Sequence, residues 1–206
     1  MTHIAHSEKV LCMRIFLLVI LLSFNLQSWT KAEDISDFQI EGISVGDSLL
    51  KLFSKKEIES NMAPYVFKSD RFKIFEINQP SIFQDYESLQ VAFKKDDHNY
   101  NIYGISAAIF FNQNILNCEE KKISINNELK DLFRNLESSS REGKLRADPT
   151  GESSYTRIAY YFPDGHFIGI SCYDWSESIT ESKNWIDVLR VEIYSKEYNT
   201  WLSEAY

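Results

Sequence analysis

Residues Tyr155 to Tyr173 read Y-T-R-I-A-Y-Y-F-P-D-G-H-F-I-G-I-S-C-Y, and the turn at their centre sets the register of what surrounds it. Pro163 fits the first turn position, and Gly165 supplies the positive φ that closes a three-residue hairpin loop. Pairing outward from Phe162 with His166 sets Tyr160 opposite Ile168, Ile158 opposite Ile170 and Thr156 opposite Cys172. Side chains alternate across a strand, so the aliphatics and Cys172 share the core face. Tyr155, Arg157, Tyr161, Phe167 and Tyr173 line the other face, with Trp175 just beyond.

The segment before the hairpin carries the clearest helical pattern. Asn117 is the expected cap with Glu120 at the reciprocal position, making Cys118 the first helical residue. Ile125, Leu129, Leu132, Phe133 and Leu136 follow at helical spacing, with Lys121, Lys122, Lys130 and Asp131 facing out. A cysteine at a helix start has an acidified thiol, but a catalytic one needs a histidine. Downstream of the N-terminal segment only His98 and His166 are present. The register places Cys172 on the core face, and the expectation is a Cys118–Cys172 disulfide tying this helix to the hairpin.

That pairing agrees with the N-terminus. Lys9 and Arg14 precede the apolar run Ile15 to Phe24, and Thr30-Lys31-Ala32 offers small residues for cleavage. Residues 1–32 read as a signal peptide, the alternative being an uncleaved anchor. Its apolar core is about half the roughly 20 residues that span a bilayer, and no later stretch reaches that length. Cys12 precedes the apolar core, and its loss on cleavage leaves an even pair, as expected of an exported protein. The chain carries a net charge of −8, and cleavage makes it more acidic by removing Lys9, Arg14 and Lys31 against Glu8 alone. Such a chain repels phosphate backbones and anionic lipid, which argues against nucleic-acid or membrane-surface partners. Its 14 Phe and 11 Tyr supply ample apolar surface for a core, which argues against disorder.

Gly42 to Phe53, G-I-S-V-G-D-S-L-L-K-L-F, is expected to launch the fold. Ser44 and Asp47 have capping spacing, and Val45, Leu49, Leu52 and Phe53 fall on one helical stripe after an extended lead-in over residues 34–41. Ser54 and Glu57 open a second, short helix ending near Asn61. Strands follow at Phe72 to Ile77, at Leu89 to Phe93 and, after the charged turn 94–99, at Tyr100 to Phe111, where scarce polar positions imply a central place. Residues 137–153 read as a long polar loop. Leu189, Val191 and Ile193 alternate with Arg190 and Glu192 in a strand wet on one face. Ser195 caps a closing helix with Tyr198, Trp201, Leu202 and Ala205 as its stripe. The fold class is α+β: tandem αβββ-like units of antiparallel sheet over residues 33–112 and 113–206, packed as one compact domain, with helices on one face and a C-terminal closing helix.

Several chemistries can be weighed against this outline. Gly42-Ile43-Ser44-Val45-Gly46 matches the G-x-S-x-G nucleophile elbow, but that motif needs a sheet built before it. Asp164 and His166 resemble an acid/base fragment, although turn chemistry alone explains the aspartate. The carboxylates, histidines and bridged cysteines lack metal-ligand spacing, and no Gly-rich phosphate loop is present. No cofactor is expected. What is left is the aromatic face of Tyr155, Arg157, Tyr161, Phe167, Tyr173 and Trp175, either covered by Tyr198 and Trp201 or open to a partner.

The Gly42-Ile43-Ser44 start with its Val45, Leu49, Leu52 stripe, leading into strands that end at Tyr100 to Phe111, resembles the SmpA/BamE envelope lipoproteins. The tandem arrangement is similar to the β-lactamase-inhibitor-protein fold, and the whole looks like uncharacterised exported bacterial proteins. The chain departs from the lipoproteins in lacking a cysteine after its apolar core and in carrying a second unit. The resemblance implies a non-catalytic interaction module and assigns no site residues. The expectation is therefore an exported protein, periplasmic or secreted, that binds a protein, peptide or glycan of the cell envelope. The alternative is a small hydrolase using His166 with Asp164 or Asp174.

Overall fold

In the computed structural model, which describes residues 34–78 and 83–205, seven strands form one sheet. They are β1 (Phe72–Asn78), β2 (Ser88–Lys94), β3 (Gly104–Phe110), β4 (Ser138–Lys144), β5 (Ser154–Tyr161), β6 (Phe167–Asp174) and β7 (Val188–Tyr194), in the order β1-β2-β3-β7-β6-β5-β4 with every neighbour antiparallel. The helices are α1 (Lys55–Ser60), α2 (Ile115–Leu132), α3 (Glu177–Lys183) and α4 (Lys196–Ala205). The signal segment and its cleavage point lie outside the described residues.

The central hairpin forms in the expected register. Gly165 adopts φ +94°, and the Phe162 N–H donates to the His166 carbonyl at 3.0 Å. Tyr160 pairs with Ile168, Ile158 with Ile170 and Thr156 with Cys172. Cys118 and Cys172 are joined, S–S 2.05 Å and Cα–Cα 6.0 Å, both fully buried. The capping box at Ser54 and Glu57 opens α1, and the Ser195 hydroxyl accepts the Tyr198 N–H at the start of α4.

The two tandem units give way to a single sheet. β3, almost free of polar residues, pairs with β2 on one side and β7 on the other, so Ala107 faces Val191 across the middle of a continuous ladder. The described residues fall in one compact unit. Helices also occupy both faces. α2 packs its Cys118, Ile125 and Leu129 into the core with Ile168, Ile170, Leu189 and Val191, whereas α4 packs Tyr198 and Trp201 with Phe72 and Tyr194 on the opposite face.

Several local expectations are corrected. Gly42 to Phe53 forms no α-helix. It makes one 3-10 turn at Leu49–Lys51, with Ser48 as the cap. Asp47 does accept the Ser44 N–H at 3.1 Å, but Gly42 and Gly46 stand at φ +83° and +93°, off the helical path. The N–H groups of Gly46 and Leu49 donate instead to the carbonyls of Ile102 and Tyr100, so this stretch is fastened to the approach to β3. Its Leu49 and Phe53 still enter the core, Phe53 lying 4.8 Å from the Phe75 ring. The lead-in before it holds a capped 3-10 turn at Ile35–Asp37. The third strand begins only at Gly104, because Tyr100 takes φ +51° in a turn. Residues 138–144 form the edge strand β4, whose polarity reflects exposure rather than irregularity. Asn114, not Asn117, caps α2 by accepting the Asn117 N–H. Lys122 is buried rather than outward, paired with Glu119 and Thr156.

Candidate functional site

The strand registers generate the outer face as lateral rows. One row runs Ile74, Ala92, Gly104, Tyr194, Phe167, Tyr161. The next runs Glu76, Gln90, Ser106, Glu192, Gly169, and the one after it Ser88, Ala108, Arg190, Ser171, Arg157. A fourth holds Phe110, Val188, Tyr173 and Tyr155. Two polar rows are thus enclosed between an apolar row and an aromatic one, on strands whose opposite faces are sealed in the core.

α4 covers only one end of this face. Its Tyr198 ring lies directly over Gly104, where a Cβ would collide with it, and Trp201 packs on Phe72 and Phe67 at 5.1 and 4.8 Å between ring centres. At the other end, Trp175 follows β6 and Trp185 precedes β7. Tyr173 and Trp175 stack at 6.4 Å, Trp175 and Trp185 meet at 4.7 Å, and Lys183 sits 4.5 Å over the Trp185 ring. Asp187 accepts the Trp175 N–H at 3.0 Å, and burial raises its carboxyl above the ordinary range. Between the two walls lies an open trough of about 730 Å³, floored by Gln90, Ser106, Arg190 and Glu192 and flanked by Tyr65, Phe67, Tyr198 and Leu202 against Phe110, Tyr173, Trp175 and Trp185. That volume lies in the range of small-molecule sites, about 300–1,000 Å³.

The floor is a connected polar network. Arg157 pairs with Glu192 at 3.1 Å and donates to the Ser171 hydroxyl at 2.7 Å and the Tyr173 hydroxyl at 3.2 Å, while the Tyr194 hydroxyl donates to Glu192 at 2.9 Å. Burial opposes the Arg157 charge, but Glu192 and Tyr173 hold the guanidinium above its ordinary value. Burial, reinforced by Glu192, raises the Tyr173 and Tyr194 phenols. On the α4 side the Tyr65 hydroxyl donates to Glu76 at 2.8 Å and accepts from Gln90 at 2.9 Å, and burial together with Glu76 pushes it up to about 12. Arg190 is different. Its guanidinium touches only neutral oxygens, Ser106 Oγ at 3.2 Å and Gln90 Oε1 at 3.4 Å, and among the described residues no carboxylate lies within ion-pair distance of it.

Of the residues singled out from sequence, Tyr173 and Trp175 line the trough. Arg157 lies beneath it through Glu192 and Tyr173. Phe167 is buried, stacked 5.6 Å from Tyr194, while Tyr155 and the 51% exposed Tyr161 lie to the side. His166 sits at the hairpin end with Nδ1 3.2 Å from Asp164 Oδ2 but without hydrogen-bond geometry. Asp174 ends the same strand that begins beside His166, roughly 25 Å away along β6. Among the described residues no group of three or more His, Cys, Asp and Glu side chains could hold a metal, and no helix is long and apolar enough to cross a membrane. The sequence reading missed Gln90, Ser106, Arg190 and Trp185 as site residues. The available signal was polarity at single positions inside otherwise apolar strands; bringing them together required the non-local β3–β7 pairing, which no turn announces.

No family model, no curated protein and no solved structure matches this chain.

Proposed function

We propose that the chain is an exported, non-catalytic binding module, periplasmic or secreted, which seats part of a cell-envelope protein, peptide or glycan in the outer-face trough. The observation that carries this reading is the trough itself, a concave space of about 730 Å³ with aromatic walls and a polar floor on a rigid sheet. Rigid aromatic side chains give contact area at small entropic cost, and the floor's hydrogen-bonding groups fix orientation. Export is supported by the buried Cys118–Cys172 bond, a linkage that persists in oxidising compartments. Arrays of envelope glycans and peptides probed with the mature protein and with its Trp175→Ala and Trp185→Ala variants test the reading. Binding that the wild type retains and both variants lose is the expected result. Equal binding by all three, or none by any, overturns it.

A further inference from the structure

We infer that the group seated in the trough is a carboxylate-bearing sugar whose acid meets Arg190 and whose ring lies against Trp175 and Trp185. This deepens the binding reading and rests on it. Arg190 is a fixed cation facing an open cavity with only neutral hydroxyl and amide partners, and its bonds to them are long, 3.2 and 3.4 Å. A guanidinium in that position has donors left for a planar oxyanion, which it takes in a bidentate, charge-assisted pair.

The nearby carboxylates do not fill that role. Glu192 is committed to Arg157 and to the Tyr194 hydroxyl. Glu76 is held by Tyr65 and Gln90, and the Gln90 amide stands between its carboxylate and the Arg190 guanidinium, so the two make no direct ion pair. An arriving acid at Arg190 therefore gains an ion pair without displacing one.

The rest of the ligand is specified by what surrounds the cation. The wall behind Arg190 is aromatic, with Tyr173, Trp175 and Trp185 in sequence. Their electron-rich faces suit the C–H faces of a sugar ring. A purely aromatic acid would satisfy the wall but would lay apolar surface over the polar floor of Ser106, Gln90 and Glu192, excluding water from their remaining hydrogen-bonding positions and returning nothing, a penalty that sites built for hydroxyl groups impose on analogues lacking them. A hydroxylated ring satisfies wall and floor together.

Titration calorimetry on the mature protein with glucuronate, glucuronamide, glucose and 3-phenylpropionate tests the inference. Glucuronate is expected to bind saturably and at least about tenfold more tightly than glucuronamide, the size of one charge-assisted hydrogen bond. R190Q should abolish the preference for acid over amide, and R190K should keep part of it, with melting curves verifying that each variant is folded. Should R190Q fail to fold, the acid-over-amide ratio of the wild type and R190K decides. Equal binding of glucuronate and glucuronamide, or an acid preference that survives R190Q, overturns the role of Arg190. Tighter binding of 3-phenylpropionate than of glucuronate overturns the sugar. If glucose binds as well as glucuronate and Trp175→Ala removes both, the trough reading stands while the acid assignment falls. If none of the four probes binds and the envelope arrays are also blank, both fall.

Discussion

The Asp148 carboxylate accepts the N–H and hydroxyl of Thr150, the N–H and hydroxyl of Ser153 and the hydroxyl of Ser176, and so fastens the β4–β5 turn to the start of α3. The Ser153 and Thr150 hydroxyls hold its pKa well below the carboxylate range. A depressed folded-state pKa contributes stability that is complete above the unfolded value, about 4, and is lost as pH falls below it. D148N should accordingly melt below the wild type at pH 7, and the gap between the two should close as both are titrated from about pH 4 toward pH 2. A gap that is constant across that range would mean the ionised form is not what the loop holds. Nearby, Lys183 donates to the Ala147 carbonyl at 3.3 Å while lying over Trp185, so this loop also positions a trough wall.

At the scale of elements, α4 and the disulfide stabilise by different routes. Trp201 is 4% exposed and sits among Phe67, Phe72 and Tyr198, so W201A should cost about 3–5 kcal/mol in urea denaturation. S195A, which removes only the cap, should cost about 1 kcal/mol. The Cys118–Cys172 bond acts mainly on the unfolded chain. Closing a 54-residue separation is worth about 4 kcal/mol in the chain-entropy account, and C118A/C172A should lose up to that amount. Elements with local signals were legible in sequence: the Pro163–Gly165 turn dictated a register, the Ser54–Glu57 capping box marked α1, the Ser195 cap marked α4, and one alternating strand placed Cys172 in the core. Elements decided by distant partners were not. Gly42 to Phe53 has a helical stripe, yet its backbone is claimed by residues 100 and 102, and β4 has no apolar alternation because an edge strand need not bury a face. The trough fell in the second class, since Gln90 on β2 and Arg190 on β7 meet only across β3.

For the whole molecule, an open sheet must guard two edges against pairing with other chains. Residues 61–63 cover β1, with the Ala63 N–H donating to the Ile74 carbonyl and the Glu76 N–H to that of Asn61. β4 has no such cover among the described residues and relies on its exposed Ser, Arg, Glu and Lys side chains. R141V/E142V is therefore expected to show a higher mass than the wild type at equal concentration in light scattering; an unchanged mass would show that the strand's charges are not its protection. The sheet also divides two chemistries. In β6, Cys172 points to the core while its neighbours face the other way, Ser171 buried beneath the trough against Arg157 and Tyr173 on its rim. The sulfur bond thus anchors, from behind, the very strand on which a ligand would rest. If the trough is the binding surface proposed above, the share of chains that present it depends on the bond having formed, because a reduced chain unfolds more readily.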